Sequence, residues 1–520
     1  MKRLIVAASA MTALAGCVAL FDFGAYDTAR PEAAALDASD EGASVQPFRI
    51  EVGSPALSGV TGEPLTVEVT VQRSVDLADA IVLGLAGASD IALSAAPIAP
   101  GMSKVSVTLT PGGRHGLAML SLTATAASYP GFTASAPLTI DVRGKPGTLD
   151  TSFANDGVFA PALDFSARDL AVLADDRILV VGGSGSADGA FDVLRILPGG
   201  ALDPSFGTGG RARALGPTTG GKGATGVAVR PDGTALVVGD RVLPGATFEV
   251  FVAALDGRGL KDPSFGDAGV LAFDSLGDSP ASVVLVPGRG FVLTNGGFVL
   301  GRLPAGQPDV SFGDAGTVES IGPVYTGATL DATGGLVIGG TGQGAMRFSG
   351  PLVALSLTAT GTTRGSFQGK LPSCVSGRPL LLGSGKVVLV AACAGELGGP
   401  ASPMLVAVAP DAGVLPTFGD AGIVTEDETV SSITGVVVDG GLATAKQDAY
   451  DTSGAQNPRL VLTAFDDKGV LRWTTEKTTF AALVGTTFFA AATDHANRIV
   501  VLGTTGADGM LRPIVARFWL

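Results

Sequence analysis

The sequence predicts an all-β protein, a small β-sandwich followed by a seven-bladed β-propeller, on three observations. Apolar and polar residues alternate over short runs, with no sustained 3.6-residue period. Glycine supplies 76 of 520 residues and proline 31, enough for many tight turns but below the level of low-complexity disorder. A short element, Ser-Phe-Gly-Asp-Ala-Gly, returns about every 53 residues beyond residue 146, which marks a repeat architecture.

The chain opens on a processed leader. Lys2 and Arg3 form a basic start, Leu4 to Leu14 an apolar stretch, and Leu14-Ala15-Gly16-Cys17 follows at once. Small residues before a cut let a peptide enter a signal peptidase, and a thiol just after it can carry a diacylglyceryl group. The tetrapeptide resembles the lipobox of bacterial lipoproteins. That resemblance implies removal of residues 1–16 as a signal peptide, acylation of Cys17, and a membrane partner through the N-terminal lipid. Val18 stands where an aspartate would resemble an inner-membrane retention signal, so the expected address is the outer membrane of the cell envelope. Several acyl chains, at about 0.8 kcal/mol per buried CH₂, anchor a protein stably. Removal of Lys2 and Arg3 takes the net charge from −14 to −16, which is expected to keep the body off anionic lipid. Residues 17–46 contain Pro31, Ala33 to Ala35, Asp37, Asp40 and Glu41 without a period, and read as the lipidated N-terminus and a flexible tether.

Residues 47–145 change to strict alternation. Leu65, Val67, Val69 and Val71 face one way, and Thr66, Glu68, Thr70 and Gln72 the other, as in a half-buried strand. Similar runs lie at Ala80 to Leu85, Val105 to Leu109, Leu117 to Thr123 and Leu138 to Val142, a spacing that suggests a sandwich. The layout resembles the Ig-like modules of bacterial surface proteins, without the Cys and Trp pair of antibody domains. His115, inside Gly112-Gly113-Arg114-His115-Gly116, is expected to be a solvated turn histidine.

Residues 146–520 hold the repeat. Its core is complete at Ser264 to Gly269 and Ser311 to Gly316, and nearly so at Thr417 to Gly422. Variants stand at Ser152 to Gly157 and Ser205 to Gly210, with degenerate copies at Ser366-Phe367 and around Trp473. The anchors Phe153, Phe206, Phe265, Phe312, Phe367, Phe418 and Trp473 are expected to plug the core between units. Between anchors a turn-led apolar strand comes first, from Arg177 to Gly182 through Gly435 to Val438 and Arg498 to Gly503. A second follows, from Phe191 to Leu197 through Pro513 to Phe518.

Leu202-Asp203-Pro204-Ser205-Phe206-Gly207 and Pro231-Asp232-Gly233 are similar to the delta-60 repeat family. The resemblance implies a β-propeller and says almost nothing about chemistry. Four strands per unit without an amphipathic helix fit a blade on physical grounds too, because radial repetition hides sheet edges. The last unit stops short of its final strand, so Gly157 to Pro161 is expected to pair beside Pro513 to Phe518. Turn glycines are expected at positive φ, and the Asp of Gly-Asp-Ala-Gly as a turn former rather than a calcium ligand. A two-residue turn at Gly383-Ser384 would set Cys374 opposite Cys393, so a cross-hairpin disulfide is expected. Gly377 and Pro379 interrupt the register, and two inert thiols are the alternative.

Lys and Arg total 34 against 48 Asp and Glu, which argues against a nucleic-acid partner. Two histidines, His115 and His495, leave little room for a His-based metal site or triad, and neither paired carboxylates nor a phosphate-cradling loop stands out. No cofactor, metal or catalytic residue is therefore expected. With 2 Trp and 4 Tyr, stacking on glycans is not favoured. The connections Ser184 to Ala190, Ala214 to Ala224, Asp240 to Glu249 and Lys446 to Pro458 vary and fall on one face, where a protein partner is expected. The expected function is a non-enzymatic envelope lipoprotein presenting a propeller for protein–protein binding or adhesion. The alternatives are a periplasm-facing outer-membrane assembly scaffold and a propeller hydrolase or lyase.

Overall fold

The alternating segment folds into eight strands: β1 (Phe48–Val52), β2 (Ala56–Val60), β3 (Leu65–Arg73), β4 (Ile81–Ala86), β5 (Ile91–Ser94), β6 (Lys104–Pro111), β7 (Gly116–Ala126) and β8 (Ala134–Arg143). The computed structural model describes residues 46–520 apart from 75–76, 88–89, 184–190, 214–220, 244–246, 274–279, 320–323, 343–349, 371–372, 395–400, 449–458, 476–482, 484–485 and 508–509. Cys17 and the tether lie outside the described residues. The strands form two four-stranded sheets, β1-β3-β6-β5 and β2-β8-β7-β4, with β2 parallel to β8. That order is ABED against CFG, with the first strand shared between the sheets. Val67, Val69 and Val71 are buried while Thr66, Glu68 and Gln72 are exposed, and the buried set meets Ile81, Leu109, Leu122 and Ile140 in one core.

Beyond the sandwich the chain makes seven more four-stranded sheets, six of them with all four strands in sequence order. They span 166–212, 221–273, 280–319, 324–368, 373–425, 430–474 and 486–518, numbered here as sheets 1 to 7. Sheet 7 takes its fourth strand from the other end of the repeat region: β9 (Val158–Phe159) pairs with the C-terminal strand, Val515 opposite Phe159 and Ala516 opposite Val158. The strap expected from the repeat phase is therefore present. The first strand of each sheet touches the first strand of the next, and that of sheet 7 touches that of sheet 1, so the succession closes on itself. Seven apolar clusters fill the seven seams; one joins Val181 and Phe191 of sheet 1 to Val237 and Phe251 of sheet 2, another joins Val515 of sheet 7 to Val180 of sheet 1.

The anchor aromatics divide into two groups. Phe153, Phe206, Phe265, Phe312 and Phe418 are at most 2% exposed, the last four in the connection between a third and a fourth strand and Phe153 in the segment that leads into β9. The residue after each donates its N–H to the matching turn of the next sheet: Ala154 to Gly199, Gly207 to Arg258, Gly266 to Ala305, Gly313 to Thr360 and Gly419 to Lys468. Phe367 and Trp473 do not belong to this set. In sheets 4 and 6 a short turn leads straight into the fourth strand, Thr363–Gln368 or Leu471–Thr474, and these aromatics sit half-buried on the strand itself. The two sequence matches are aromatic residues of a strand, not copies of the turn element. Phe206→Ala is expected to cost about 3–5 kcal/mol and Phe367→Ala about 1 kcal/mol, measured by chemical denaturation.

The turn element is more strained than its glycines suggest. Gly266, Gly313 and Gly419 hold φ of 56°, 57° and 53°, and Gly269, Gly316 and Gly422 hold 91°, 93° and 95°. The alanine between them is left-handed as well, with φ of 49° at Ala268, 48° at Ala315 and 51° at Ala421. A left-handed L-residue costs about 1–2 kcal/mol, partly offset by the lower unfolded-state entropy of alanine. Each Ala→Gly change at these sites should therefore raise stability by up to about 1 kcal/mol, read as a higher melting temperature by calorimetry.

Three local expectations need correction. Gly435 to Val438 lies in the first strand of sheet 6, Val430–Val438; the second strand, Gly441–Asp448, follows the Asp439-Gly440 turn. Asp240 to Glu249 is mainly paired hairpin, with Arg241 and Glu249 opposite each other and ion-paired. The turn before Cys393 is not two residues long: Leu382 N–H donates to Lys386 O, setting Leu381 opposite Val387. A bulge between Ser376 and Arg378 then shifts the register by one and brings Cys374 opposite Cys393, where a disulfide joins them.

Candidate functional site

The Leu-Asp-Pro-Ser-Phe-Gly segment builds a charged seam. Asp203 Oδ1 accepts from Ser205 N–H at 3.0 Å and Ser205 O–H at 2.6 Å, while Arg195 Nε donates to Oδ2 at 2.8 Å. Arg195 also lies 4.6 Å from the Phe206 ring centroid. Asp150, Ser152, Arg517 and Phe153 repeat this set at sheet 7, with Arg517 Nε 2.8 Å from Asp150 Oδ2 and its guanidinium 4.5 Å from the ring. At successive seams a side chain donates to a carbonyl in the third-to-fourth-strand turn of the next sheet. The pairs are Arg517 to Pro198, Arg195 to Gly257, Arg230 to Pro304, Arg289 to Ala359, Ser356 to Pro410 and Lys386 to Asp467. At the seam of sheets 6 and 7 the fourth strand arrives as β9, so the equivalent turn is missing. There Gly147 donates to Trp519 O at 2.8 Å and packs so close to Trp473 and Thr475 that a Cβ would collide with Thr475.

The seam holds these carboxyl groups below the usual carboxylate range. Burial pushes the Asp203 carboxyl up, but the Ser205 hydrogen bonds, the Arg177 hydrogen bond and the Arg195 charge outweigh it and hold the group at about 2. Asp150 and Asp309 are lowered in the same way, with burial opposing at both. A depressed folded-state value contributes stability above the unfolded carboxylate range and loses it as the carboxylate protonates. Stability should thus fall as pH drops from about 4 toward 2, and Asp203→Asn should flatten that part of the thermal-midpoint profile.

The seven first strands neighbour one another around the cycle, and each carries a bulge. Just past the bulges Arg378 of sheet 5 reaches Asp169 of sheet 1, Nη1 to Oδ1 3.4 Å, although sheets 1 and 5 are not neighbours in the cycle. Asp169 Oδ2 also accepts from Val227 N–H at 3.2 Å. A Cβ on Gly327 would lie 3.2 Å from Arg378 Cγ, tighter than ordinary contact, so the glycine leaves room for that side chain. Nothing in the linear sequence links Asp169 to Arg378, because the pairing depends on how the cycle closes.

On the face of the first-to-second-strand turns, a cavity of about 960 Å³ opens between the turns of sheets 1, 2 and 3, with His495 of sheet 7 at its side. Val172, Val229, Leu285 and Val286 supply apolar wall, and Arg177, Arg230 and Arg289 reach its edge. His495 lies in a turn, as the sequence suggests, and its Nδ1 is 2.8 Å from Asp176 Oδ1. His115 is not solvated: its side chain is 6% exposed, packed edge to face on Trp519. Its Nδ1 accepts from Trp519 Nε1 at 3.0 Å and Thr151 N–H at 3.1 Å. Burial lowers its pKa, opposed by the Asp150 charge. Gly113 and Arg114 of the same turn are exposed, and the ring alone is covered, by Trp519 from the end of the chain.

The other sequence-selected residues are dispersed. Five phenylalanines occupy five different seams, Cys374 and Cys393 pair within sheet 5, and among the described residues no cluster of His, Cys, Asp and Glu could hold a metal ion. No protein-family model matches the chain, and no curated protein matches it. Among solved structures, it is similar to domains 5–6 of the S-layer protein SbsC, at 12% identity over 43% of this chain and 95% of that one, with a TM-score of 0.15. It is also similar to the ICAM-5 D1–D4 ectodomain fragment, at 12% identity over 91% and 100% of the two chains, with a TM-score of 0.17. Likeness at this level carries no weight for architecture or activity.

Proposed function

We propose that the protein is a non-enzymatic, lipid-anchored envelope protein in which an Ig-like sandwich and a seven-bladed β-propeller of delta-60-type units present a surface to a protein partner. The observation that carries this reading is a contrast between the two ends of the cycle. Most first-to-second-strand turns keep one pattern, Leu173 to Arg177, Arg230 to Thr234, Asp331 to Gly335, Leu382 to Lys386 and Asp494 to Arg498, each closed by the same backbone hydrogen bond, while sheet 6 has the two-residue turn Asp439-Gly440. Second-to-third-strand connections range from the two residues Gly296-Gly297 to the segment between Asp448 and Leu460. Second-to-third-strand connections that vary beside mostly repeated first-to-second-strand turns are what a rigid scaffold with a recognition surface would show.

Of the two histidines, His115 accepts two N–H groups in a buried junction and His495 lies in an exposed turn with its Nδ1 on Asp176. A lipid on Cys17 would place the protein on the envelope, most simply the outer membrane. Protease shaving of intact cells, followed by detection of the fragment still attached through Cys17, tests the reading. Removal of the repeat region while a periplasmic control survives supports adhesion or surface binding. Cleavage only after the outer membrane is permeabilised overturns surface presentation and favours a periplasmic assembly role.

A further inference from the structure

We infer that the cavity on the regular-turn face binds an elongated amphiphile with a single anionic head group, its tail against the apolar wall and its head on Arg230. This site lies on the other end of the cycle from the proposed protein-binding connections and does not depend on them.

The three arginines at the cavity edge are not equivalent. Arg177 is ion-paired with Asp175 at 2.6 Å and with Asp203 at 3.3 Å, and Arg289 with Asp309 at 2.6 Å. Arg230 forms no ion pair among the described residues; it donates one Nη2 hydrogen bond to Pro304 O at 2.6 Å and lies 5.6 Å from the Phe265 ring. The nearest acids do not neutralise it. Asp232 and Asp262 feel its charge, yet each turns its carboxylate into its own turn, Asp232 onto Thr234 and Asp262 onto Ser264. A guanidinium with donors to spare, beside apolar wall and in a chain of net charge −14, is a local exception to the protein's electrostatics.

The remaining wall suits a tail. Val172, Val229, Leu285 and Val286 are only partly buried by the protein, so a hydrocarbon entering between them removes apolar surface from water on both sides. A volume of about 960 Å³ accommodates a chain of ten or more carbons. Charge and wall together select a carboxylate-headed amphiphile over a neutral lipid or a fully hydrophilic anion.

Calorimetric titration of decanoate and of decan-1-ol into the full chain carrying Cys17→Ser, which removes any attached acyl group, tests the site. Saturable binding of one decanoate per chain is expected. Arg230→Gln should weaken decanoate about tenfold while changing decan-1-ol less than about twofold, and Arg230→Lys should restore most of the difference. Val286→Trp should abolish binding of both, with an unchanged thermal midpoint confirming the fold. Absence of saturable decanoate binding, equal loss of both probes in Arg230→Gln, or no change in either would overturn the assignment.

Discussion

Replacing Arg517 by methionine is expected to destabilise the protein by about 3–5 kcal/mol, the range for removing one partner of a buried ion pair. Asp150 is fully buried and Arg517 is 3% exposed. Loss of the guanidinium takes away the Nε donor to Asp150, the Nη1 donor to Pro198 O in sheet 1 and the cation over Phe153. Arg498 still donates to Asp150 at 2.9 Å, which places the cost toward the lower end. The position matters as much as the energy, because Asp150 precedes β9 and Arg517 lies on the strand that β9 closes. Asp150→Asn with Arg517→Met should be less destabilised than the sum of the single changes, measured by chemical denaturation in a double-mutant cycle. Additive losses would mean that the two side chains do not act as a pair.

Removal of the disulfide is the second large effect. Cys374→Ala with Cys393→Ala is expected to cost about 3 kcal/mol, since the bond closes a loop of 19 residues in the unfolded chain. Both cysteines are buried, 1% and 5% exposed, so the alanine pair also leaves unfilled volume in the seam of sheets 4 and 5. The bond fixes the register upstream of the bulge that precedes Arg378. Loosening it should therefore broaden exchange at the Val227 amide, which is bonded to the Asp169 partner of Arg378. Thermal unfolding of the wild type with and without reductant, beside the double variant, separates the bond from the cavity. An unchanged midpoint in both comparisons would show that the bridge contributes nothing.

Local, repeated features of the fold were legible in the sequence. The alternation at 65–71 and the spacing of apolar strands depend on one element and its turn, and the missing last strand followed from counting phase; all three reappear in the structure. The closing pair of strands and the Cys374 to Cys393 bond were also expected, but other features that need two distant pieces were not legible. Phe367 and Trp473 share the repeat spacing of the anchors, and only the absence of the Leu-Asp-Pro-Ser run before them distinguishes a strand aromatic from a turn plug. His115 lies in a glycine-rich turn, and its burial comes from Trp519 at the far end of the chain. The cysteine pairing emerged from two compensating departures, a longer turn and a one-residue bulge. The Asp169 to Arg378 contact joins sheets 1 and 5 across a closed cycle, so no periodicity could announce it.

Closure of the seven-sheet cycle by β9 is the claim on which the rest stands, and a paired-cysteine variant tests it most directly. Val158 and Ala516 lie opposite each other across the closing pair of strands. Val158→Cys with Ala516→Cys, oxidised at low protein concentration, should give an intramolecular disulfide between the two positions. Peptide mass analysis should find them linked in the monomer, with the Cys374 to Cys393 bond unchanged. Free thiols at 158 and 516 in a folded monomer, or crosslinks only between separate chains, would contradict the closed cycle.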